Sequence, residues 1–428
     1  MSTDPAKPLS KAALFLVFVV VFIDLLGFGI VLPLLPIYGD TYVASVLPKD
    51  ASKALQGIIL GLLMSTFSVM QFLFAPAWGK LSDRIGRKPI LLLGLFGSVV
   101  FYALFGYASG LSHETSAPLA LALLFVSRLG AGIAGATIST AQAVIADCTP
   151  KESRSRGMAL IGAAFGIGFT FGPLIGFAAL SFFPQNAGAT GYIAAGLSLI
   201  ALLIGIFKMP ETRTPGGHQA ARKLFDFATF REVLSSKNLG PVIMVFFLAT
   251  FGFGSFESTL AMMNQNLLKF EKNWNFLIFA YVGFTLAIAN GFYRPLAKRV
   301  SEVVFMTIGI LLMGSGVASL AGVTYLSEQG WGPSSIMPIM LATLTICVIG
   351  FAILTPSAQA LVSRRADPER QGEILGVNQS CSSLARILGP VVGLTLYKIS
   401  PMLPFLFGGF IVLAMLPIMP RISRGTDA

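Results

Sequence analysis

Charge is what this chain has least of. Only 11% of its 428 residues are Asp, Glu, Lys or Arg, against about 25% in an ordinary soluble domain. With 55% hydrophobic residues, soluble cores alone could not hide the apolar surface. The three cysteines, Cys148, Cys347 and Cys381, sit in or beside apolar runs with no paired spacing, which argues against a disulfide framework. There are two histidines, His113 and His218, both outside the apolar runs, so no metal site is expected. No GxxxxGK[ST] loop occurs, which argues against ATP-driven transport. No nucleophile constellation points to an enzyme, and no bound cofactor is expected. The first apolar run lacks a small-residue cleavage site and is too long for a signal peptide, so it reads as a retained span.

What is present is a succession of apolar stretches, each long enough to cross a hydrocarbon core of ~30 Å as a helix. Barrel strands would show about ten residues of alternating polarity. Runs such as AALFLVFVVVFIDLLGFGIVLPLLP (Ala12 to Pro36) are apolar on all sides, so helices are expected. Twelve spans fall at 12–37, 57–79, 89–109, 118–146, 158–183, 190–208, 239–264, 274–293, 303–326, 334–362, 372–397 and 401–419. With both termini cytoplasmic, only Lys49, Lys53, Lys269, Lys272 and Lys398 fall in outer loops, and Arg128 and Arg386 well inside spans. The other basic residues lie on the cytoplasmic side, as the positive-inside rule requires of an inner (plasma) membrane protein. The net charge of +11 therefore reports topology and a lipid partner rather than nucleic acid.

The apolar pattern stops after Phe207, giving a division into a bundle of six spans (1–208), a cytoplasmic linker (209–238) and a second six-span bundle (239–428). LFDFATFREVL in the linker suggests a short interfacial helix. GAAFGIGFTFGPLIG (Gly162 to Gly176) and SCSSLARILGPVVG (Ser380 to Gly393) both end in Gly-Pro-x-x-Gly, half a chain apart. Repeated halves around a shared site are a secondary-transporter architecture. Gly162/Gly166, Gly168/Gly172 and Gly172/Gly176 are spaced by four and line a face for close helix approach, with Pro173 adding a kink.

Between spans 2 and 3, GKLSDRIGRKP (Gly79 to Pro89) reads as a tight turn. Gly79 and Gly86 allow unusual backbone, Asp83 is suited to face a helix N-terminus, and Arg84, Arg87 and Lys88 hold the loop inside. This G-x-x-x-D-R-x-G-R-K spacing resembles the signature loop of the major facilitator superfamily. DLLGFGIVLPLLP (Asp24 to Pro36), SRLGAGIAGA (Ser127 to Ala136) and the glycine-rich span 5 are similar to the drug:proton antiporter branch that includes tetracycline exporters. The resemblance implies a cytoplasmic gate at Gly79, Asp83, Arg84, Gly86, Arg87 and Lys88, joined by Asp147 at the end of span 4. It also implies an antiporter-type helix at Gly162, Gly166, Gly172, Pro173 and Gly176. The matching loop of the second half, GFYRPLAKRVSE (Gly291 to Glu302), lacks the Asp-Arg-x-Gly core, so any gate there is expected to be weaker or different.

Four ionisable residues fall well inside spans: Asp24, Arg128, Glu257 and Arg386. Each costs about 2.5–3.5 kcal/mol at a helix centre, so residues kept there invite a functional reading. Asp24 and Arg128 share a depth near the midplane. Asp24 reads as the first proton carrier, with helix packing as its plainer role. Arg128 would tune it or hold a structural salt bridge. Glu257 reads as a second proton or cation site, or as a vestibule residue. Arg386 would balance Glu257 or receive an anionic substrate. Gln142, Asn378 and Gln379, with Gln71, Tyr281 and Asn290, lie on cavity faces where helix–helix hydrogen bonds are the commoner use.

The reading is an all-α polytopic transporter, twelve transmembrane helices in two pseudo-symmetric bundles, exporting small amphiphilic molecules or drugs in exchange for protons. A monomer suffices, and the proton gradient is the drive. Two rivals stand: a proton-coupled importer or uniporter of a sugar or organic anion on the same fold, toward which PETR (Pro210 to Arg213) points loosely, and a non-transporting receptor.

Overall fold

The structure, a computed structural model, describes residues 11–148, 154–212, 227–270, 272–297, 299–367 and 370–424; the side chains of 11–16, 20, 24, 146, 154–163, 165, 272, 372 and 424 lie outside that description. Before the linker come α1 (Lys11–Val31), α2 (Leu35–Val46), α3 (Lys53–Ile85), α4 (Arg87–Ser109), α5 (Ala117–Gly135), α6 (Ile138–Cys148), α7 (Arg154–Phe182) and α8 (Ala189–Lys208). After α9 (Phe227–Ser235) come α10 (Gly240–Met262), α11 (Lys272–Leu296), α12 (Glu302–Glu328), α13 (Pro333–Arg365), α14 (Gln371–Ile399), α15 (Leu403–Leu413) and α16 (Met419–Arg424). No strand occurs among the described residues.

Nine spans among the described residues are long and apolar enough to cross a membrane. The pair α1 and α2 forms one more span, bent by 45°; with α7 and α14 these make twelve. α14 is polar over its first half, with Asn378, Gln379, Ser382, Ser383 and Arg386, and that is why hydropathy alone passes over it. The amphipathic linker segment is helical over its described part, α9.

Four spans differ from the sequence reading. The first does not end at residue 37: it breaks at residues 32–34 and continues as α2 to Val46. Pro33 lacks the N–H a continuous helix would use, while Pro36 sits in the first turn of α2, where that donor is not missed. The fourth span is interrupted between α5 and α6. Its open backbone is held from α3: Gln71 donates to the Gly135 carbonyl at 3.1 Å, and Trp78 Nε1 to Ile133 at 2.7 Å. α3 and α13 run for 33 residues each, about 50 Å at 1.5 Å per residue. That exceeds the ~30 Å hydrocarbon core, so each helix continues beyond the lipid, where polar residues do not stop it.

By contacts the chain divides into two compact units. One holds residues 1–32, 70–112 and 119–222; the other holds 33–69, 113–118 and 223–428. Within the first, α1 packs on α7; within the second, α10 packs on α14. The sequence repeat explains the parallel. A Cβ on Gly172 would lie 2.9 Å from the Leu26 carbonyl oxygen and 2.9 Å from Gly29 Cα. One on Gly389 would lie 2.9 Å from the Phe251 carbonyl oxygen and 3.0 Å from the Ser255 nitrogen. Each Gly-Pro-x-x-Gly helix is thus pressed backbone to backbone on another helix of its own unit, α7 on α1 and α14 on α10.

In the second unit α14 has another close neighbour. Gly57, Gly61 and Ser65, spaced by four on α3, run along it: Cβ atoms on Gly57 and Gly61 would meet the carbonyl oxygens of Leu394 and Pro390 at 2.7 and 2.9 Å, and Ser65 Oγ donates to the Ile387 carbonyl at 2.5 Å. Asp40 of α2 pairs with Lys398 at the end of α14, both side chains about four-fifths buried. Removing one partner strands the other, at a cost of about 1–2 kcal/mol for a pair this sheltered. Asp40→Asn and Lys398→Met are each expected to lower the unfolding midpoint, and the double variant to lose little more than either. Additive losses in this cycle would mean the two charges are not coupled.

Candidate functional site

The signature segment is not the loop that its glycines and charges suggested. α3 runs on through Asp83 to Ile85, and only Gly86 separates it from α4. Gly86 has φ +108°, a conformation open to glycine. Asp83 therefore does not cap α4; it sits one helical turn before Arg87 and binds it at 2.6 Å. The buried Arg87 guanidinium also reaches Asp147 of α6 at 3.1 Å and Ser82 Oγ at 2.7 Å. One side chain thus ties α3, α4 and α6 together.

The carboxylate at the start of α4 is Glu211, which the sequence reading passed over within PETR. It accepts from the backbone N–H of Arg87 at 2.9 Å and of Lys88 at 3.1 Å, the placement that a helix N-terminus favours for an anion. Lys88 Nζ donates to the Ile206 carbonyl at 3.0 Å, so the end of α8 is strapped to the same corner. The sequence signal was there, a lone acid after a span, but nothing local named its partner. Arg84 is exposed, and Gly79 has Ser139 Oγ at 3.8 Å from where its Cβ would be; neither joins the cluster.

The second half builds something different, as its sequence suggested. Arg364 at the end of α13 pairs with Glu302 at 2.7 Å while remaining 70% exposed. Arg370 binds Glu232 of α9 at 2.6 Å and Glu373 at 2.9 Å, and Thr229 of α9 donates to Glu373 at 2.7 Å. These bonds, the one to Glu232 first, push the Arg370 guanidinium further toward its charged form. They also fix the linker helix to the start of α14.

Within the spans, Glu257 and Arg386 lie on α10 and α14, two helices that pack together. They form no ion pair within 4.0 Å among the described residues, and Glu257 Oε1 and Arg386 Nε are buried without a hydrogen-bond partner. Asn378, two turns before Arg386, is buried with its Oδ1 likewise unpartnered. Phe253, one turn before Glu257, stacks on Phe351 with ring centroids 3.9 Å apart and meets Phe256 edge-on at 5.5 Å. In the first unit Arg128 is buried, its guanidinium 5.9 Å from the centre of the Phe28 ring and in electrostatic contact with Tyr102. The Asp24 side chain lies outside the described residues, and so do the surroundings of Gly162.

The remaining polar candidates divide. Gln71 and Tyr281 make helix–helix bonds, Tyr281 to Thr345 at 2.5 Å. Asn290 bonds its own helix at Leu286. Gln142 and Gln379 are exposed. On α7, Gly172 meets α1 while Gly166 has nothing within 4 Å of its Cβ position, and the helix continues unbroken through Pro173. Among the described residues no three His, Cys, Asp or Glu side chains gather where they could hold a metal ion.

Comparison with known proteins gives a consistent neighbourhood. Residues 17–390 and 273–425 match the family model of the Major Facilitator Superfamily. The chain is 32% identical over 388 residues to the class E tetracycline resistance protein of Escherichia coli, covering 89% of this chain and 86% of that protein. The crystal structure of the human organic anion transporter MFSD10 (TETRAN) superposes with a TM-score of 0.66 at 26% identity, covering 97% of this chain and 100% of that one. A D-xylose–proton symporter shares the fold, with a TM-score of 0.72 at 16% identity and 97% of each chain covered.

Proposed function

Because the chain belongs to the major facilitator superfamily, we propose that it is a proton-coupled antiporter that exports small amphiphilic molecules or drugs by alternating access. It works in the inner membrane as a monomer with both termini cytoplasmic, and needs no cofactor beyond the proton gradient. The observation that carries this reading is the presence of Glu257 and Arg386 inside two spanning helices that pack on one another, each with a buried hydrogen-bonding atom left unpaired. A purely structural pair would be closed, because each charge inside a membrane costs several kcal/mol unless compensated. Glu257 is therefore a place where a proton and a substrate cation exclude one another, and Asp24 is assigned the same role in the first half. The tetracycline resistance relative supports drugs as the substrate class. The Arg87 corner serves as the cytoplasmic gate, made and broken as the site opens to each side in turn.

The test is flux in proteoliposomes with an imposed proton gradient, after a susceptibility screen in an efflux-deficient host has chosen the compound. Wild type should accumulate it against its gradient. Glu257→Gln and Asp24→Asn should each lose tenfold or more of that accumulation, the order lost when a group needed for coupling is neutralised, while retaining downhill exchange. Concentrative, pH-dependent accumulation surviving in Asp24→Asn would remove Asp24 as a carrier. Uptake down the proton gradient, in the same direction as the proton, would favour the importer instead.

A further inference from the structure

We infer that α2 and the first part of α3 form an outer gate with α14, closed in register by the Asp40–Lys398 pair. This rests on the transport reading above and adds to it a gate on the side away from the cytoplasm. All the contacts lie within the second unit, which takes in residues 33–69 from before the linker. There α14 is held on two faces. One meets α10: Gly389 fits against the Phe251 carbonyl and the Ser255 nitrogen, and a Cβ on Gly393 would lie 2.8 Å from the Ser255 carbonyl oxygen. That contact joins helices of one sequence half and has its repeat-related twin in α7 on α1, so it belongs to the lasting frame. The other face meets helices from before the linker. Gly57, Gly61 and Ser65 of α3 run along it from Thr395 to Ile387, and Asp40 of α2 pairs with Lys398, three residues beyond Thr395.

This second contact is built to part. At Gly57 and Gly61 the two helices touch through backbone, since a Cβ at either would lie 2.5 Å from the Cα of Thr395 or Val391. Separating such a surface loses dispersion contacts but unlocks no interdigitated side chain at those positions. The ion pair at its end behaves likewise. Two charges taken out of water lose hydration, and their mutual attraction roughly returns it. When the seam opens and water enters, hydration replaces the attraction, so an intact pair parts at small net cost. Removing one partner is different, because closure then buries a lone charge. Asp40 and Lys398, both about four-fifths buried, therefore permit closure in one register and leave it reversible, as a gate between repeats requires.

A reversible lock tests this on the full-length protein in proteoliposomes. Asp40→Cys with Lys398→Cys, joined by a bis-methanethiosulfonate reagent, should lose about tenfold or more of its flux, and reductant should restore it. Cys148, Cys347 and Cys381 are buried, and wild type treated alike controls for the reagent. A static fastening is indifferent to the lock, so unchanged flux overturns the inference. Ser65→Cys reads the gate without a lock, and decides alone if the double-cysteine protein is inactive before locking. Ser65 is 1% exposed; in right-side-out vesicles a membrane-impermeant maleimide should label the cysteine about tenfold faster once Asp40→Asn is added, because closure would strand Lys398. Exchanging the charges, Asp40→Lys with Lys398→Asp, should bring the rate back toward that of Ser65→Cys alone, which a general loosening of the fold would not do. Equal labelling with and without Asp40→Asn overturns the inference. So does a rate that stays high in the exchanged pair, or labelling that rises only in inside-out vesicles. If the lock stops downhill flux of a compound that shows no proton coupling, this inference stands and the antiport reading falls. Proton-driven flux that ignores the lock does the reverse.

Discussion

Arg87→Gln should lower transport roughly 30-fold at equal protein level, the equivalent of about 2 kcal/mol. Stranding the partners of a fully buried pair costs more, about 3–5 kcal/mol. Here the acids are partly open, with 49% of the Asp83 side chain and 32% of Asp147 exposed, so water recovers part of the loss. What water cannot replace is geometry: the guanidinium serves Asp83, Asp147 and Ser82 at once, in three directions. Arg87→Lys keeps the charge without the planar fork and should recover about half of the free-energy loss. Asp147→Asn alone should be milder, because Asp83 and Ser82 still hold the guanidinium. Initial rates of labelled-substrate movement in vesicles measure all three; an Arg87→Gln rate within twofold of wild type would show that this corner does not control transport.

The sequence carried the fold well where hydrophobicity decides. The number of spans, the linker helix and the repeated Gly-Pro-x-x-Gly segments all follow from composition and spacing, and the repeat became two equivalent helix contacts, α1 with α7 and α10 with α14. It failed where a contact depends on residues far apart in the chain. Glu211 caps a helix that begins 124 residues earlier, and no local pattern reveals that. Asp83 looked like a turn residue because glycine and charge usually mark loops, yet a helix leaving the lipid tolerates both, and α3 continues to Ile85. The Gly57, Gly61, Ser65 stripe was legible in principle as small residues spaced by four, but the partner helix, α14, was not. Of the intramembrane charges, sequence marked which residues were costly; only the fold shows that Glu257 and Arg386 lie on two packed helices, each with a buried polar atom left unpaired.

Gly389→Val and Gly172→Val should both be strongly damaging changes in the spans. At each position a Cβ would meet backbone rather than a movable side chain: the Phe251 carbonyl and Ser255 nitrogen for Gly389, the Leu26 carbonyl and Gly29 Cα for Gly172. Relief requires a shift of whole helices, so the penalty belongs at or above the upper end of the overpacking range, about 3 kcal/mol. Against a total stability of about 5–15 kcal/mol, that should appear as a several-fold drop in folded protein before any transport defect. Gly166 provides the control on the same helix. Its Cβ position is open, so Gly166→Ala should fold as well as wild type or better by about 0.5–1 kcal/mol, since alanine loses less backbone entropy in a helix. Thermal unfolding of the three purified variants, with transport per folded molecule, separates packing from gating. If Gly166→Ala folds normally but transports poorly, the glycines of α7 serve movement as well as close approach. If Gly389→Val and Gly172→Val instead fold normally, the close approach of α14 to α10 and of α7 to α1 is not what holds each half together.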